Sequence, residues 1–419
     1  MKKLSLNLQI FIGAAIGLLF GVLLHQLPAD AGLHQHSLFM LNLIATLFVD
    51  LLKMILVPLI FTSIAVGVAN LRAHQQVHQV WTYTLGFFVL SMTLAIILGL
   101  GSAQLFAPGK GLNLALFQDA MQHYDAKHIT FGDFTQSMLH GLFVNPFAAL
   151  AQSNVLAIVI FALFIGIALV QGGERYRNII QLLQEWQELT LHIVGWIMRL
   201  APFGIMALLA KLTATQDLAL LGILVKFIAV VIGTTLVHGV IVLPLLLYAV
   251  TNMSPLHFWR GAREALITAF ATSSSSATVP VTLRCVEQHL HVKPDIAGFV
   301  VPLGATINMD GTALYEATAA LFVANLVGVD LNLLQQLVIS LTAMIAAMGA
   351  PGIPSAGMVT MILVLQSVGL PTEAIAILLP IDRLLDTVRT AVNVEGDMVG
   401  SLIVQKLVRR KKTVRFQQK

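Results

Sequence analysis

The stretch from Ile381 to Asp397, IDRLLDTVRTAVNVEGD, carries four acids and two arginines between two apolar runs, AILLP before it and MVGSLIV after it. Taken as a helix at 100° per residue from Asp382, it places Asp386 at about 40°, Arg389 at about 340°, Asn393 at about 20° and Asp397 at about 60°. These five form one polar stripe about 80° wide, with Arg383 at its edge, Glu395 far away at about 220°, and mainly Leu, Val and Ala opposite. A charge buried in a bilayer costs about 2.5–3.5 kcal/mol even on the lenient insertion scale, so the stripe must face protein, water or a ligand. An internal salt-bridge network alone leaves three acids and an amide against one central arginine, a balance that a cation completes.

The surroundings are those of a membrane protein. Of 419 residues, 57% are hydrophobic and 11% charged, and the mean hydropathy is +0.86; a soluble domain is about a quarter charged. Apolar runs of membrane-spanning length recur from LQIFIGAAIGLLFGVLLHQL (Leu8 to Leu27) to the last segment, which excludes a soluble domain with one anchor. The first run follows MKKLSLN without a small-residue cleavage pattern and reads as a retained span. The net charge of +4 owes much to the tail KLVRRKKTVRFQQK. Beside a span, basic residues follow the positive-inside rule and imply no nucleic acid; with Lys2 and Lys3 they put both termini in the cytoplasm and require an even number of crossings. The single cysteine, Cys285, excludes an intrachain disulfide and reads as a small packed side chain.

Spans are expected near residues 8–27, 38–70, 80–106, 143–171, 183–214 and 219–251, with an extramembrane loop from Pro108 to Leu139 and an amphipathic lead-in to the fifth span from Arg175 to Glu188. Beyond Thr251 the pattern changes. An apolar arm near 258–271 meets TSSSSATVP (Thr272 to Pro280), and LLQQLVISLTAMIAAM (Leu333 to Met348) meets GAPGIPSAG (Gly349 to Gly357). Arms of about 13 to 16 residues fall short of the roughly 20 an untilted crossing needs, so each pair is expected to be a re-entrant hairpin with a non-helical tip inside the membrane. A polar span follows each hairpin: PLGATINMDGTALYE (Pro302 to Glu316) after the first and the opening stretch after the second, sharing the N-x-acid-G echo of Asn308–Gly311 and Asn393–Gly396. Paired interrupted segments of this kind point to the central site of a transporter.

The chemistry suggests roles. Arg389 offers a planar, permanently charged fork for a carboxylate, and Asp386, one turn before it, can accept from an ammonium group. Asn393 and Asp397 supply hard oxygens suited to an alkali cation, and Asp310 has cation ligation as its leading reading. Asn308, Thr312 and Glu316 share a face if their helix is continuous, and Glu316 is the candidate proton carrier, since an acid in a poorly solvated site can exist uncharged. No G-x-S-x-G surrounds Ser273–Ser276, no histidine lies in the polar spans, and Val394 breaks the pattern expected of an intramembrane aspartyl protease, so the chain is not expected to be an enzyme. His34, His36, His289 and His291 lie in expected loops without partnering acids or cysteines, which gives no transition-metal site.

The combination TSSSSATVPVT, GATINMDGTALYE, GAPGIPSAG and DTVRTAVNVEGD closely resembles the dicarboxylate/amino acid:cation symporters, which include glutamate and aspartate transporters; weaker similarity runs through LFVDLLKMILVPLIFTSIAVG, LFAPGKG and NPFAALAQSNVLAIVIFALFIGIAL. The resemblance implies an all-α polytopic membrane protein of eight transmembrane helices and two re-entrant hairpins, built from inverted repeats, forming a homotrimer in the plasma membrane and working as an elevator. It implies a scaffold at 1–79 and 143–218, a transport domain at 80–142 and 219–407, and a basic cytoplasmic tail at 408–419. In the implied site Arg389 holds the substrate's side-chain carboxylate with Thr312, Asp386 takes the amino group, and Asp382 steadies Arg389. Asn393, Thr390, Ser274, Ser275, Ser276, Ile353 and Gly357 surround the main-chain carboxylate. One co-transported sodium is implied among Gly304, Asn308, Asn393 and Asp397, and a second at Thr306, Ala347, Met348 and Ala350, with the second hairpin as gate.

Departures from the family's pattern affect coupling. Where the family's third cation site uses tyrosine, threonine and serine with Asn308 and Asp310, this chain has Phe88, Ser91 and Met92, and the position of a second arginine in many members is held by Ser273 or Thr387. Glu316 matches members that move a proton. The expected function is uptake of L-glutamate or L-aspartate coupled to sodium, with a proton at Glu316 as a further candidate; a proton-coupled glutamate or C4-dicarboxylate symporter and a ligand-gated anion channel are the alternatives. Asp386 favours an amino acid over a plain dicarboxylate, which has no ammonium to pair with it.

Overall fold

The computed structural model describes residues 6–28, 31–70, 78–110, 143–152, 155–215 and 219–417, and these are helical, with no strand among them. The expected loop beyond Lys110, and Lys2 and Lys3, fall outside the described residues. The chain begins with α1 (Leu6–His25), α2 (Gly32–Asn70) and α3 (His78–Phe106). The fourth expected span is in two pieces, α4 (Pro146–Ala151), capped by the Asn145 side chain on the Phe147 and Ala148 amides, and α5 (Val155–Gly172). A 3₁₀ turn at Gly173–Tyr176 leads to α6 (Arg177–Met198) and α7 (Ala201–Thr215).

The fifth span is therefore not one helix over 183–214. The helical path from Ile160 to Met198 bends by 52° into Ala201–Thr215. Pro202 explains the break: it lacks an N–H and its ring excludes the carbonyl four residues back, yet it is well placed in the first turn of a new helix. The amphipathic lead-in is continuous with α6, whose Leu183, Thr190, Val194 and Ile197 are buried.

Next come α8 (Ala219–Val237), a π-helical turn at His238–Val242, and α9 (Leu243–Thr251). The first hairpin is α10 (Pro255–Thr272) and α11 (Ser275–Arg284). Its irregular tip is shorter than TSSSSATVP suggested. Only Ser273, left-handed at φ 51°, and Ser274 interrupt the helix, because the Ser274 side chain caps the Ala277 amide and restarts it with Pro280 inside. After a π-helical turn at Cys285–His289, α12 (Pro294–Ile307) and α13 (Asp310–Val327) are separated by non-helical Asn308 and Met309. The second hairpin is α14 (Leu333–Gly349), with an Asn332–Gln335 capping box, and α15 (Ala356–Ser367); its irregular tip is residues 350–355. Finally α16 (Ile375–Gln417) carries the charged stripe, and its backbone stays helical through the basic tail.

By length and composition, Leu8–His25, Gly32–Ala69, Gln79–Phe106 and Leu221–Thr251 can each cross a membrane, and the bent α5–α7 path adds one more. Both polar helical segments, α12–α13 and α16, fall below that test for the reason the sequence singled them out: a break in one and a row of charges in the other. Large apolar side chains such as Leu19, Leu23, Leu105 and Phe147 stand exposed on the outside, where only hydrocarbon or another chain removes them from water.

Packing falls into two groups. In one, α1 and α2 pack on α7, and α2 also packs on α5 and α6; in the other, α13 packs on α3 and α16, while α16 also touches α10 and α12. Along α13 every residue from Asp310 to Ala324 is buried. On α1, Gly13, Gly17 and Gly21 recur at four-residue spacing, and a Cβ on any of them would overlap the backbone carbonyls of Pro202, Met206 and Ala210 in turn. Small residues here let two backbones touch, the means of helix association available where lipid replaces water.

Gly17→Val is expected to cost about 1–3 kcal/mol through that overlap, read as a lowered thermal midpoint in detergent, whereas Gly222→Val, where nothing lies within 4 Å of the added Cβ, is expected to be near neutral.

Candidate functional site

The stripe on α16 is buried along its whole length. Arg389 is 1% exposed; its Nη2 donates to Asp382 Oδ1 at 2.6 Å and Asp386 Oδ1 at 2.9 Å, and its guanidinium carbon lies 4.0 Å from the centre of the Tyr315 ring. Two carboxylates and an aromatic face hold the fork from one side. Nε and Nη1 of Arg389 are left without a hydrogen-bond partner among the described residues. A Cβ added to Gly357 would stand 3.6 Å from Nη1 and 3.0 Å from the Thr312 methyl, so the glycine keeps space open before the free side of the guanidinium. Asp386 Oδ2 accepts from the Ser355 amide at 2.8 Å, tying the second hairpin's tip to the stripe, and Arg383 Nη1 lies 3.7 Å from the same oxygen.

The two hairpin tips meet. Ser274 Oγ donates to Gly352 O at 2.7 Å and the Ser276 amide to the same oxygen at 3.0 Å. Ser275 is buried and begins α11, while the Ser276 side chain is exposed. Helices α11 and α15 both begin at these tips, and helix N-termini favour negative charge. Ile353 is part of the turn, its amide donating to Pro351 O, and Thr390 is buried.

One turn further along α16 the stripe's own side chains change from a donor, Arg389, to the oxygen acceptors of Asn393 and Asp397. Asn393 Oδ1 accepts from the Gly311 amide at 2.8 Å, and its Nδ2 donates to Thr312 Oγ1 at 3.3 Å. Asp397 is 1% exposed and accepts from Asn308 Nδ2 at 3.2 Å. Gly304 is required opposite it, since a Cβ there would overlap Asp397 Oδ1. This carboxylate has no cationic side chain against it among the described residues. Its donor set, oxygens of a carboxylate, amides and backbone, is that of a hard cation.

A second oxygen-bearing place lies where α12 and α14 both end. A pocket of about 240 Å³ is lined by Thr306, Ile307, Met348, Gly349, Ala350 and Pro351 with apolar neighbours including Ile64 and Trp81. Helix C-termini concentrate carbonyls and partial negative charge. Thr306, Met348 and Ala350 of the expected second cation set thus share a pocket; Ala347 is buried behind it, its carbonyl accepting from the Ala350 amide at 3.3 Å.

The break at Asn308–Met309 takes Asn308 off the face that Thr312 and Glu316, four apart on α13, still share: Asn308 turns to Asp397, Thr312 meets Asn393, and Glu316, fully buried, accepts from Thr360 Oγ1 at 2.5 Å with its second oxygen unpartnered. Glu395 bonds Trp259 Nε1 at 3.0 Å, away from the stripe as its helical angle indicates, though buried against the first hairpin instead of lipid.

One contact at Asp310 lay outside the sequence reading, and one falls where the resemblance set Ser91 beside this acid. His238, from the π-helical turn, is fully buried with Nε2 3.1 Å from Asp310 Oδ2, so a histidine does reach the polar core. Ser91 Oγ donates to the other oxygen of Asp310 at 3.0 Å, between fully buried Phe88 and Met92. The available signal was a lone titratable residue amid VVIGTTLVHGVIVLPLLL, the kind of intramembrane group that marks function. Thr360, which serves Glu316, had no such signal.

The model of the sodium:dicarboxylate symporter family matches residues 6–407. An excitatory amino acid transporter of Caenorhabditis elegans is 33% identical over 96% of this chain and 87% of its own length. Excitatory amino acid transporter 2 of Rattus norvegicus is 34% identical over 97% of the chain and 79% of its own length, and excitatory amino acid transporter 3 of Mus musculus is 45% identical over 61% of the chain and 49% of its own. A buried arginine fork, oxygen clusters without a cationic partner and a family match across the chain converge: this polytopic membrane protein belongs to the sodium:dicarboxylate symporter family.

Proposed function

We propose that the chain is a secondary active symporter that takes up L-glutamate or L-aspartate with sodium, and that Glu316 carries a proton alongside. The observation that carries the substrate reading is Arg389, with Nη1 unsatisfied beside the space kept by Gly357, Nε also without a partner, and a carboxylate, Asp386, held by Nη2. An acidic amino acid offers the matching charges: a side-chain carboxylate for Arg389, an ammonium for Asp386, and a second carboxylate for Asn393, Thr390 and the tips at Ser274–Ser276 and Ile353–Gly357. The relatives' name as excitatory amino acid transporters supports this over a plain dicarboxylate.

The first sodium is proposed at Gly304, Asn308, Asn393 and Asp397, and the second at Thr306, Ala347, Met348 and Ala350. The Asp397 cluster also explains coupling. Asp397, Asn393 and Arg389 lie on one stripe of α16, and Asn393 reaches Thr312, so a cation that organises Asp397 and Asn393 also fixes the groups that hold substrate.

The architecture supporting transport is eight crossings (α1, α2, α3, α4–α5, α6–α7, α8–α9, α12–α13, α16) with two re-entrant hairpins (α10–α11, α14–α15). Both termini are proposed to be cytoplasmic in the plasma membrane. The group of α1, α2 and α4–α7 is proposed as a trimeric scaffold, and α3 with α8–α16 as the moving unit of an elevator. The second hairpin, whose tip bonds Asp386 and the first hairpin, is proposed as the gate.

Proteoliposomes with imposed sodium, proton or potassium gradients test the reading: labelled aspartate or glutamate should accumulate with inward sodium, and uptake that ignores sodium contradicts it. Arg389→Cys should abolish acidic-substrate uptake, and Arg389→Lys should reduce apparent affinity at least about tenfold, because a point charge cannot replace the bidentate fork; unchanged glutamate uptake in either removes Arg389 from the substrate site. Asp397→Asn should raise the sodium concentration for half-maximal uptake by about tenfold or more, the equivalent of about 1.4 kcal/mol, as measured at fixed aspartate. Glu316→Gln should keep sodium-driven uptake while substrate-induced acidification, followed with a trapped pH dye, disappears; persisting acidification excludes Glu316 as carrier.

A further inference from the structure

Asp310 and Asp397 flank the same residue, Asn308, and both are essentially inaccessible, yet their partners differ. Asp397 receives one neutral amide bond, from Asn308. Asp310 has donors on both oxygens, Ser91 Oγ on Oδ1 and His238 Nε2 on Oδ2, and stands in the first turn of α13, where the helix dipole favours an anion. A carboxylate bonded in this way only accepts, so the Nε2 hydrogen is on His238. The acceptor demand of Asp310 is met by protein.

Among the described residues the side-chain oxygens grouped at this acid are two, both already hydrogen-bonded: Ser91 Oγ, which donates to Asp310 Oδ1 at 3.0 Å, and Asn308 Oδ1, which accepts from the same hydroxyl at 3.3 Å. Phe88 and Met92, on the face of α3 beside Ser91, are fully buried and bring no side-chain oxygen; the Phe88 carbonyl accepts from Ser91 Oγ at 3.2 Å. The Gly311 amide is committed to Asn393. From α16, a Cβ added to Gly396 would lie 3.2 Å from Asp310 Oδ2. What remains against Oδ2 is an imidazole, a nitrogen donor that hard alkali ions do not seek. The wider turn of the π-helical segment brings His238 to this place, a backbone feature that recurs at functional positions.

We propose that the His238–Asp310 pair stands where a metal ion would otherwise neutralise Asp310, so that this transporter moves with two sodium ions per substrate, at Asp397 and at the α12–α14 pocket, and binds none at Asp310. The inference rests on the sodium-coupled reading above and adds the number of ions. His238 acts here as a positioning residue, holding Asp310 and through it the start of α13.

The test is the ratio of radioactive sodium to labelled aspartate entering proteoliposomes that contain the full-length protein. Two sodium ions per aspartate is the expected result, and three overturns the inference while leaving sodium coupling intact. Aspartate entry without any sodium dependence refutes the sodium-coupled reading itself, a distinguishable failure. In the double variant His238→Ala/Asp310→Asn the rate should fall but the ratio should stay at two, because no sodium ligand is lost; a fall to one makes Asp310 a ligand and overturns the inference. The wild-type ratio decides by itself where the double variant does not assemble.

Discussion

A permanently charged guanidinium in a protein interior is the constraint to which the rest of the structure answers. Arg389 is held by Asp382 and Asp386 and lies on the face of Tyr315. Removing one partner from a buried pair of this kind typically costs about 3–5 kcal/mol, since the remaining charge is left uncompensated. The compensation overshoots. Asp310, Glu316, Asp382, Asp386, Glu395 and Asp397 are all buried, against the two buried arginines Arg383 and Arg389 and the buried His238. An interior with this excess of acids is stable when cations enter it or protons neutralise it, and that need is the physical basis of ion coupling. Among the described residues Glu395, bonded to Trp259, Glu316, bonded to Thr360, and Asp397, bonded to Asn308, form no ion pair.

Broken backbone supplies the remaining chemistry. Helices end or begin at Asn308–Met309, at Ser273–Ser274 and at residues 350–355, and all three breaks converge on one region: Gly352 touches Ser274 and Ser276, Ser355 touches Asp386, and Asn308 touches Asp397. Interrupted helices free amides and carbonyls, which an apolar surrounding tolerates only when they are buried in protein or line a cavity. The glycines at these points have a steric role. Gly352 packs where a Cβ would lie 2.6 Å from the Ala305 carbonyl, and Gly311 where one would lie 2.7 Å from the Arg389 carbonyl, so α13 and α16 approach backbone to backbone at the site.

How much of this was legible follows from the physics of each feature. The stripe was readable because helical periodicity alone places Asp382, Asp386, Arg389, Asn393 and Asp397 together, and the hairpins because their arms are too short to cross. The break at Asn308 was not, because Asn-Met-Asp contains no proline and the contacts that hold the Asn308 side chain there, Asp397 and Ser91, are tertiary. The bend at Pro202 had a local signal that a long apolar run concealed. The first tip looked longer than it is because four serines and Pro280 resemble a loop, although Ser274 is an effective helix cap. His238 was hidden by its setting, since nothing in an apolar segment identifies a partner 72 residues away.

The central claim is that bound cations complete the acid-rich interior and so create the substrate site. Its most direct measurement is equilibrium binding of L-aspartate to the purified full-length protein, by calorimetry, across sodium concentrations at constant ionic strength with choline as replacement. The account predicts an apparent Kd that falls steeply as sodium rises, with a logarithmic slope above one. Equal aspartate affinity in sodium and in choline would contradict it.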